Sequence, residues 1–220
     1  MNIGVLGRLA LVLSVIAGVS YVASWELSLA PAASTVWKGA GVTLLAVYAG
    51  LRARDLDGWL ICVVMALGAL GDVLLETSGL TTGALAFLVG HVAAIALYLR
   101  NRRARLTPSQ ILLALVLPPA TVAIAYALPS DRAMAPGIAL YSAGLSLMAA
   151  CAWISRFPRL KTGLGAVMFV VSDLLIFARA GPLAGEAWVG YGVWGLYFAG
   201  QFLICVGVVA TLAADRARAS

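Results

Sequence analysis

The chain has 220 residues, of which 63% are hydrophobic and only 11% are charged, and its mean hydropathy is +1.01. Soluble domains are about 45–50% apolar and about 25% charged, so this composition excludes a soluble globular domain and indicates a polytopic membrane protein. The formal net charge of +6 is dispersed over short loops, which predicts contact with membrane lipids and no nucleic-acid partner.

Eight apolar segments are predicted as transmembrane helices, because a spanning helix needs about 20 apolar residues. Their runs are unbroken, unlike the alternation of barrel strands, so the predicted fold is all-α. The first segment could be a signal peptide ending near 30–34, but its length favours a retained span. The prediction is one integral membrane domain over 1–220, with helices near 4–24, 36–51, 58–76, 82–100, 109–128, 134–154, 162–180 and 191–213.

The basic residues predict the orientation of this bundle. Cytoplasmic loops of membrane proteins are enriched in Lys and Arg. With both termini inside, the inner segments hold Arg8, Arg52, Arg54, Arg100, Arg102, Arg103, Arg105, Arg156, Arg159, Lys161, Arg216 and Arg218. The outer segments hold only Lys38, Arg132 and Arg179. Twelve against three predicts both termini in the cytoplasm, with the protein in a bacterial inner membrane.

Three ionisable residues interrupt these apolar segments, and they are the first candidates for a functional site. Asp72 lies in the third helix, His91 in the fourth and Asp173 in the seventh. An ionisable side chain at the bilayer centre costs about 2.5–3.5 kcal/mol on insertion scales, so such residues commonly line a cavity and carry function. Their structural alternative is to cap or cross-link helices through hydrogen bonds.

Further polar residues are predicted at a similar depth, on the outer side of the membrane. Lys38 is placed at the outer end of the second helix, and Tyr197 and Gln201 in the outer half of the eighth. Glu76 follows Asp72 by four residues, as Gln201 follows Tyr197, so each pair shares a helix face. Lys38 and Glu76 could instead only extend to the membrane interface.

Several chemistries are disfavoured by the residue types. A single histidine without a cysteine or histidine cluster does not suit a catalytic zinc, so no metal or other cofactor is expected. No nucleotide-binding glycine loop and no GxSxG sequence occurs in the required context. Ser172 and Asp173 are adjacent and point about 100° apart on a helix, which disfavours a triad of Ser172 with His91.

Several motifs, in this order and spacing, resemble the lysoplasmalogenase family, the YhhN-like integral membrane proteins. They are Gly71-Asp72 with Leu74-Leu75, Phe87 to Val92 with Leu97-Tyr98, Tyr141 with Met148, Gly165 to Asp173, and Tyr197 to Ile204. Two positions depart from the family pattern. Lys38-Gly39 stands where the family usually has Lys-Pro, and Ala94 replaces an aromatic residue.

The resemblance implies hydrolysis of the vinyl ether bond of a lysoplasmalogen, a lysophospholipid, to a fatty aldehyde and a glycerophospho-base. Such hydrolysis begins with proton transfer to carbon, which suits a protonated carboxylic acid in an apolar cavity. A second carboxylate would stabilise the resulting cation, as in glycosidases. The hypothesis assigns catalysis to Asp72, Asp173 and His91, and substrate contact to Lys38, Glu76, Tyr141, Tyr197 and Gln201. A proton-coupled transporter and a hydrolase of another membrane lipid are the alternatives.

Overall fold

The computed structural model describes residues 2–219, and this part of the chain is helical throughout apart from its connections. The helices are α1 (Ile3–Ser20), α2 (Pro31–Arg52), α3 (Leu56–Thr77), α4 (Leu80–Arg100), α5 (Pro108–Ala127), α6 (Ala135–Ile154), α7 (Leu164–Arg179) and α8 (Trp188–Ala219). A 3₁₀ turn, Tyr21–Trp25, follows α1, and a π-helical turn, Arg159–Gly163, leads into α7. The described residues form no strand beyond one isolated bridge, Arg102 with Ser155. The predicted all-α fold is confirmed.

Seven of these helical segments are long and apolar enough to cross a membrane, counting α1 with its 3₁₀ turn as one. The exception among the described helices is α2, whose first half carries Ser34, Thr35 and Lys38 and is therefore less apolar than the others. An integral membrane protein follows from this composition.

The largest differences from the predicted boundaries are at the start of α2 and the end of α8. Helix α2 begins at Pro31, five residues before the predicted start, because a proline at the first helical position fixes a helical φ and needs no hydrogen-bond partner for its nitrogen. Lys38 therefore lies about two turns inside α2, and its predicted place at the end of the helix was wrong. Helix α8 continues to Ala219 and so extends past the apolar segment into the charged residues Asp215, Arg216 and Arg218.

The chain divides into two compact units, where the sequence predicts a single domain. The first unit comprises the chain up to Leu97 and from Cys205 onward, and the second comprises Tyr98–Ile204. Helix α8 contributes residues to both.

Helices α1 to α4 of the first unit pack through small residues. The Ser14 hydroxyl of α1 donates a hydrogen bond to the Gly41 carbonyl oxygen of α2, over 2.7 Å. Gly71 of α3 lies directly under the ring of Phe87 of α4, where a Cβ would come within 2.6 Å of the ring. Small residues let helix backbones approach closely in membranes, so this contact holds α3 and α4 together at the level of Asp72.

The second unit is built from α5, α6 and α7 with the first half of α8. Gly165 of α7 and Gly200 of α8 meet backbone to backbone: a Cβ on either would lie 2.6 Å from the carbonyl oxygen of the other. At one end, the buried Gln110 closes the N-terminus of α5 by accepting from the Thr107 N–H over 3.0 Å. The Gln110 amide also donates to the Trp153 carbonyl oxygen of α6, over 3.1 Å. One side chain thus joins the ends of two helices.

Candidate functional site

Asp173 is held by a tyrosine inside the second compact unit. The Tyr141 hydroxyl of α6 donates a hydrogen bond to Asp173 Oδ2 of α7, and the two oxygens are 2.6 Å apart. Asp173 is only 5% exposed. A hydroxyl-to-carboxyl hydrogen bond of this length is a close one, so this contact fixes the carboxyl group and directs Oδ2 toward α6.

Aromatic rings surround this pair and its neighbour Tyr197. Phe177 packs edge-on against the Tyr141 ring, with centroids 6.1 Å apart, and Phe169 packs in the same way against Tyr197 at 5.1 Å. The ring of Trp194 lies 5.7 Å from that of Tyr197. These rings keep water away from the polar groups and leave them in a low-dielectric environment, where electrostatic interactions are stronger than in water.

Tyr197 and Gln201 lie together on α8, as their spacing predicts. Gln201 Nε2 donates to the Tyr197 hydroxyl over 3.4 Å, a long hydrogen bond, and both side chains are buried. Tyr197 is also within electrostatic range of Tyr141. The predicted shared face of Tyr197 and Gln201 is confirmed, and the second unit brings Tyr141, Asp173, Tyr197 and Gln201 into one polar cluster.

Ser172, next to Asp173, has a structural role. Its hydroxyl donates to the Val193 carbonyl oxygen of α8 over 2.9 Å, and the side chain is fully buried. The hydroxyl therefore ties α7 to α8.

In the first unit, Asp72 and His91 are both buried. Asp72 of α3 is 2% exposed and His91 of α4 is 3% exposed. The two helices pack against each other at Gly71 and Phe87. Intramembrane ionisable side chains face the interior of a bundle and engage partners there, and both residues follow this rule.

Lys38 and Glu76 form an ion pair between α2 and α3. Lys38 Nζ and Glu76 Oε1 are 2.6 Å apart, and the side chains are 14% and 44% exposed, respectively. Glu76 lies one helical turn beyond Asp72 on the same face of α3. Lys38 lies opposite this acid, so the ammonium group is paired within the protein.

The structure shows a contact of Tyr141 that could not be predicted from its position in the sequence. The sequence assigns Tyr141 to substrate contact, whereas its hydroxyl is hydrogen-bonded to Asp173. Trp194 and Phe169 were not predicted as site residues, although Trp194 precedes Tyr197 by three residues and so shares its helix face. Among the described residues, no group of three His, Cys, Asp or Glu side chains could hold a metal ion.

Replacing Tyr141 by phenylalanine removes the hydrogen bond to Asp173 and keeps the ring against Phe177. We expect a loss of about 1–3 kcal/mol in the free energy of unfolding, since a buried carboxyl group loses its partner. Thermal unfolding in detergent measures this loss. Tyr126→Phe is the matched control, because Tyr126 is exposed and uses its ring to contact Arg132. Equal unfolding temperatures for the two variants would mean that the Asp173 contact contributes nothing.

Comparisons with known proteins identify the family of the chain. A family model described as the YhhN family matches residues 33–208, which include all eight candidate site residues. No curated protein and no solved structure matches the chain. Because the family match covers well over half of the sequence, the chain belongs to the YhhN family, the family that includes lysoplasmalogenases.

Proposed function

We propose that this protein hydrolyses the vinyl ether bond of a lysoplasmalogen within the membrane. The observation that carries the proposal is the burial of two aspartates, Asp72 at 2% and Asp173 at 5% exposure, within apolar stretches of α3 and α7. Membership of a family that includes lysoplasmalogenases supports the same substrate class.

The reaction needs one proton donor and one water molecule. A carboxylic acid transfers its proton to the β-carbon of the C=C–O group, which gives an oxocarbenium ion. Water adds to the cationic carbon and returns one proton to the carboxylate, and the resulting neutral hemiacetal then passes its hydroxyl proton to the glycerol oxygen as the bond to that oxygen breaks. The products are a fatty aldehyde and a glycerophospho-base with a free hydroxyl group, so atoms and charge balance. Buried carboxyl groups suit the first step, because a low-dielectric environment disfavours their ionised form.

The proposal keeps the two aspartates that the sequence predicts as catalytic, Asp173 in the second unit and Asp72 in the first. The Tyr141 hydrogen bond occupies Oδ2 of Asp173, which leaves Oδ1 as the oxygen for proton transfer or for contact with the cation. His91 orients water or relays a proton. Tyr197 and Gln201, which are both buried and hydrogen-bonded to each other, bind the glycerol or ether oxygen.

Lys38 binds the phosphate of the substrate. Its ammonium group is held by Glu76 at 2.6 Å. An incoming phosphate therefore replaces the half-exposed Glu76 carboxylate as the partner of Lys38. Glu76 then acts as a counter-ion that keeps Lys38 in place between turnovers.

The proposal includes the topology that the basic residues predict. In this topology all eight helices, including α2, span the membrane, and both termini face the cytoplasm of a bacterial cell. Reporter fusions test this orientation: a reporter within the Arg100–Arg105 connection should be active only in its cytoplasmic form. A periplasmic signal at that position would reverse the topology.

The direct test is aldehyde release by the purified full-length protein from lysoplasmenylethanolamine, followed in D₂O. Proton transfer to carbon places one solvent deuterium on the carbon next to the aldehyde group. The mechanism therefore predicts singly deuterated aldehyde and a slower reaction in D₂O. Aldehyde without that deuterium would exclude the carboxylic acid step.

The alternatives give different results in the same assay. Release of a fatty acid from an acyl lysophospholipid, without aldehyde from the vinyl ether, would identify a hydrolase of another membrane lipid. Buried acids also occur in proton relays. Movement of lysolipid across vesicle membranes without any bond cleavage would therefore identify a proton-coupled transporter.

Opposite effects on KM are expected from the two members of the ion pair. Lys38→Gln removes the phosphate-binding charge and should raise KM about tenfold or more, because hydrogen bonds to charged groups contribute about 1.5–3 kcal/mol. Glu76→Gln removes the competing carboxylate and should lower KM. Steady-state kinetics gives KM for each variant and for wild type. A rise in KM for both would show that the pair only joins α2 to α3.

A further inference from the structure

One end of the second unit has a surface made of two connections that lie side by side. Arg102 and Ser155 form the isolated bridge between them. The Arg156 N–H donates to the Asn101 carbonyl oxygen over 2.8 Å, and Arg103 Nε donates to the Ser155 carbonyl oxygen over 2.8 Å. We call residues 100–107 together with 155–161 the basic platform.

The basic platform carries seven positive charges and no aspartate or glutamate. Five of its basic side chains are exposed, and those of Arg103 and Arg159 are partly buried; the seven are Arg100, Arg102, Arg103, Arg105, Arg156, Arg159 and Lys161. Leu160 stands among them with 80% of its surface exposed. The surface is therefore strongly cationic, with one apolar side chain projecting from it.

In other connections of the protein, acidic residues accompany the basic ones. The connections at the opposite ends of α5 to α8 contain the acidic residues Asp131 and Glu186 as well as the basic residue Arg132. In the first unit, Arg216 pairs with Asp55 over 3.1 Å and Arg218 with Asp215 over 3.5 Å. A bias of Lys and Arg toward the cytoplasm explains basic loops in general. That bias does not require connections that contain no aspartate or glutamate at all.

The platform is also rigidly supported. Phe157 lies fully buried beneath it and packs edge-on against Tyr98, with ring centroids 6.2 Å apart. Arg156 holds the buried Asn101 side chain through an Nε to Oδ1 hydrogen bond of 2.7 Å. The backbone that carries the charges is thus fixed before any ligand arrives.

We propose that the basic platform binds the phosphate groups of anionic membrane phospholipids. It lies at the ends of α4 to α7, where lipid headgroups meet a membrane-spanning bundle, and basic residues next to spanning helices attract anionic lipids. Arginine's planar guanidinium suits phosphate oxygens, which it can contact through two parallel N–H groups. Leu160 reaches the boundary with the acyl chains. This inference is independent of the proposed hydrolytic function.

Native mass spectrometry of the full-length protein in detergent tests the proposal. The protein is mixed with equal amounts of phosphatidylglycerol and phosphatidylcholine of identical chains, and the bound lipids are counted. Wild type should retain phosphatidylglycerol preferentially. The triple variant Arg102→Gln, Arg105→Gln, Lys161→Gln should lower that preference about tenfold or more, whereas Arg102→Lys with Arg105→Lys should keep most of it.

The matched control removes three exposed charges outside the platform: Arg8→Gln, Arg54→Gln, Arg218→Gln. This control should keep the wild-type preference. The proposal is overturned if wild type shows no preference, if the platform variant keeps it, or if the control loses as much. It is also overturned if wild type binds inorganic phosphate but retains no phosphatidylglycerol, since the site would then select free phosphate.

Discussion

Replacing Asp173 by asparagine is expected to lower kcat for aldehyde release about 10²–10⁴-fold, the usual contribution of general acid–base catalysis. Asparagine has nearly the same shape, and its side-chain oxygen can still accept the Tyr141 hydrogen bond, which spans 2.6 Å in the native protein. It cannot deliver a proton to carbon. Aldehyde release under single-turnover conditions measures the loss, and thermal unfolding checks that the variant folds.

Glu186→Gln is the control for this change, because it also converts a carboxylate to an amide but on an exposed connection of the same unit. It should leave kcat unchanged. Wild-type turnover by folded Asp173→Asn would exclude Asp173 from proton transfer.

Asp72→Asn extends the same test to the first unit. We expect a loss of similar size for this variant. If both carboxyl groups serve one reaction, the double variant should lose far less than the product of the two single losses, as groups that act as a unit do. Fully multiplicative losses would mean that the two aspartates act independently.

Gly200→Ala should disrupt the packing of α7 against α8 in the second unit. Its new methyl group would lie 2.6 Å from the Gly165 carbonyl oxygen, which belongs to the backbone and cannot move aside alone. We expect a loss of about 1–3 kcal/mol in the free energy of unfolding, as for overpacked cores. The unfolding temperature and the rate of aldehyde release should both fall, because Asp173 and Tyr197 lie on the two helices that would separate.

Gly195→Ala is the control on the same helix. No atom lies within 4 Å of a Cβ at Gly195, so the added methyl group meets open space. Removing a glycine from a helix interior is favourable by about 0.5–1 kcal/mol, and this variant should be at least as stable as wild type. Equal destabilisation at both positions would show that the α7–α8 contact is not tightly packed.

Much of the fold follows from the sequence, because apolar runs of about 20 residues have few other stable states. All eight helices occur where these runs are, and the burial of Asp72, His91 and Asp173 follows from their position inside the runs. The start of α2 was misplaced because hydropathy marks the apolar part of a helix. Backbone geometry, here Pro31 after an extended Ala30, marks its beginning.

Pairings between helices could not be predicted from the sequence. Tyr141 and Asp173 are 32 residues apart, and Lys38 and Glu76 are 38 apart. Their contacts depend on how each helix is rotated about its own axis, which the packing of small residues such as Gly165 and Gly200 decides. Contacts within one helix, such as Tyr197 with Gln201, follow from the 3.6-residue period and were predictable.

The double contact of Gln110 has a consequence for local unfolding. Its side chain accepts from Thr107 and donates to Trp153, 43 residues away. The first turn of α5 therefore cannot fray without releasing the Trp153 carbonyl oxygen in the last turn of α6, and amide hydrogens at both helix ends should exchange with solvent through one shared opening. Two helix termini that would otherwise be the loosest parts of the unit are coupled into a single cooperative element.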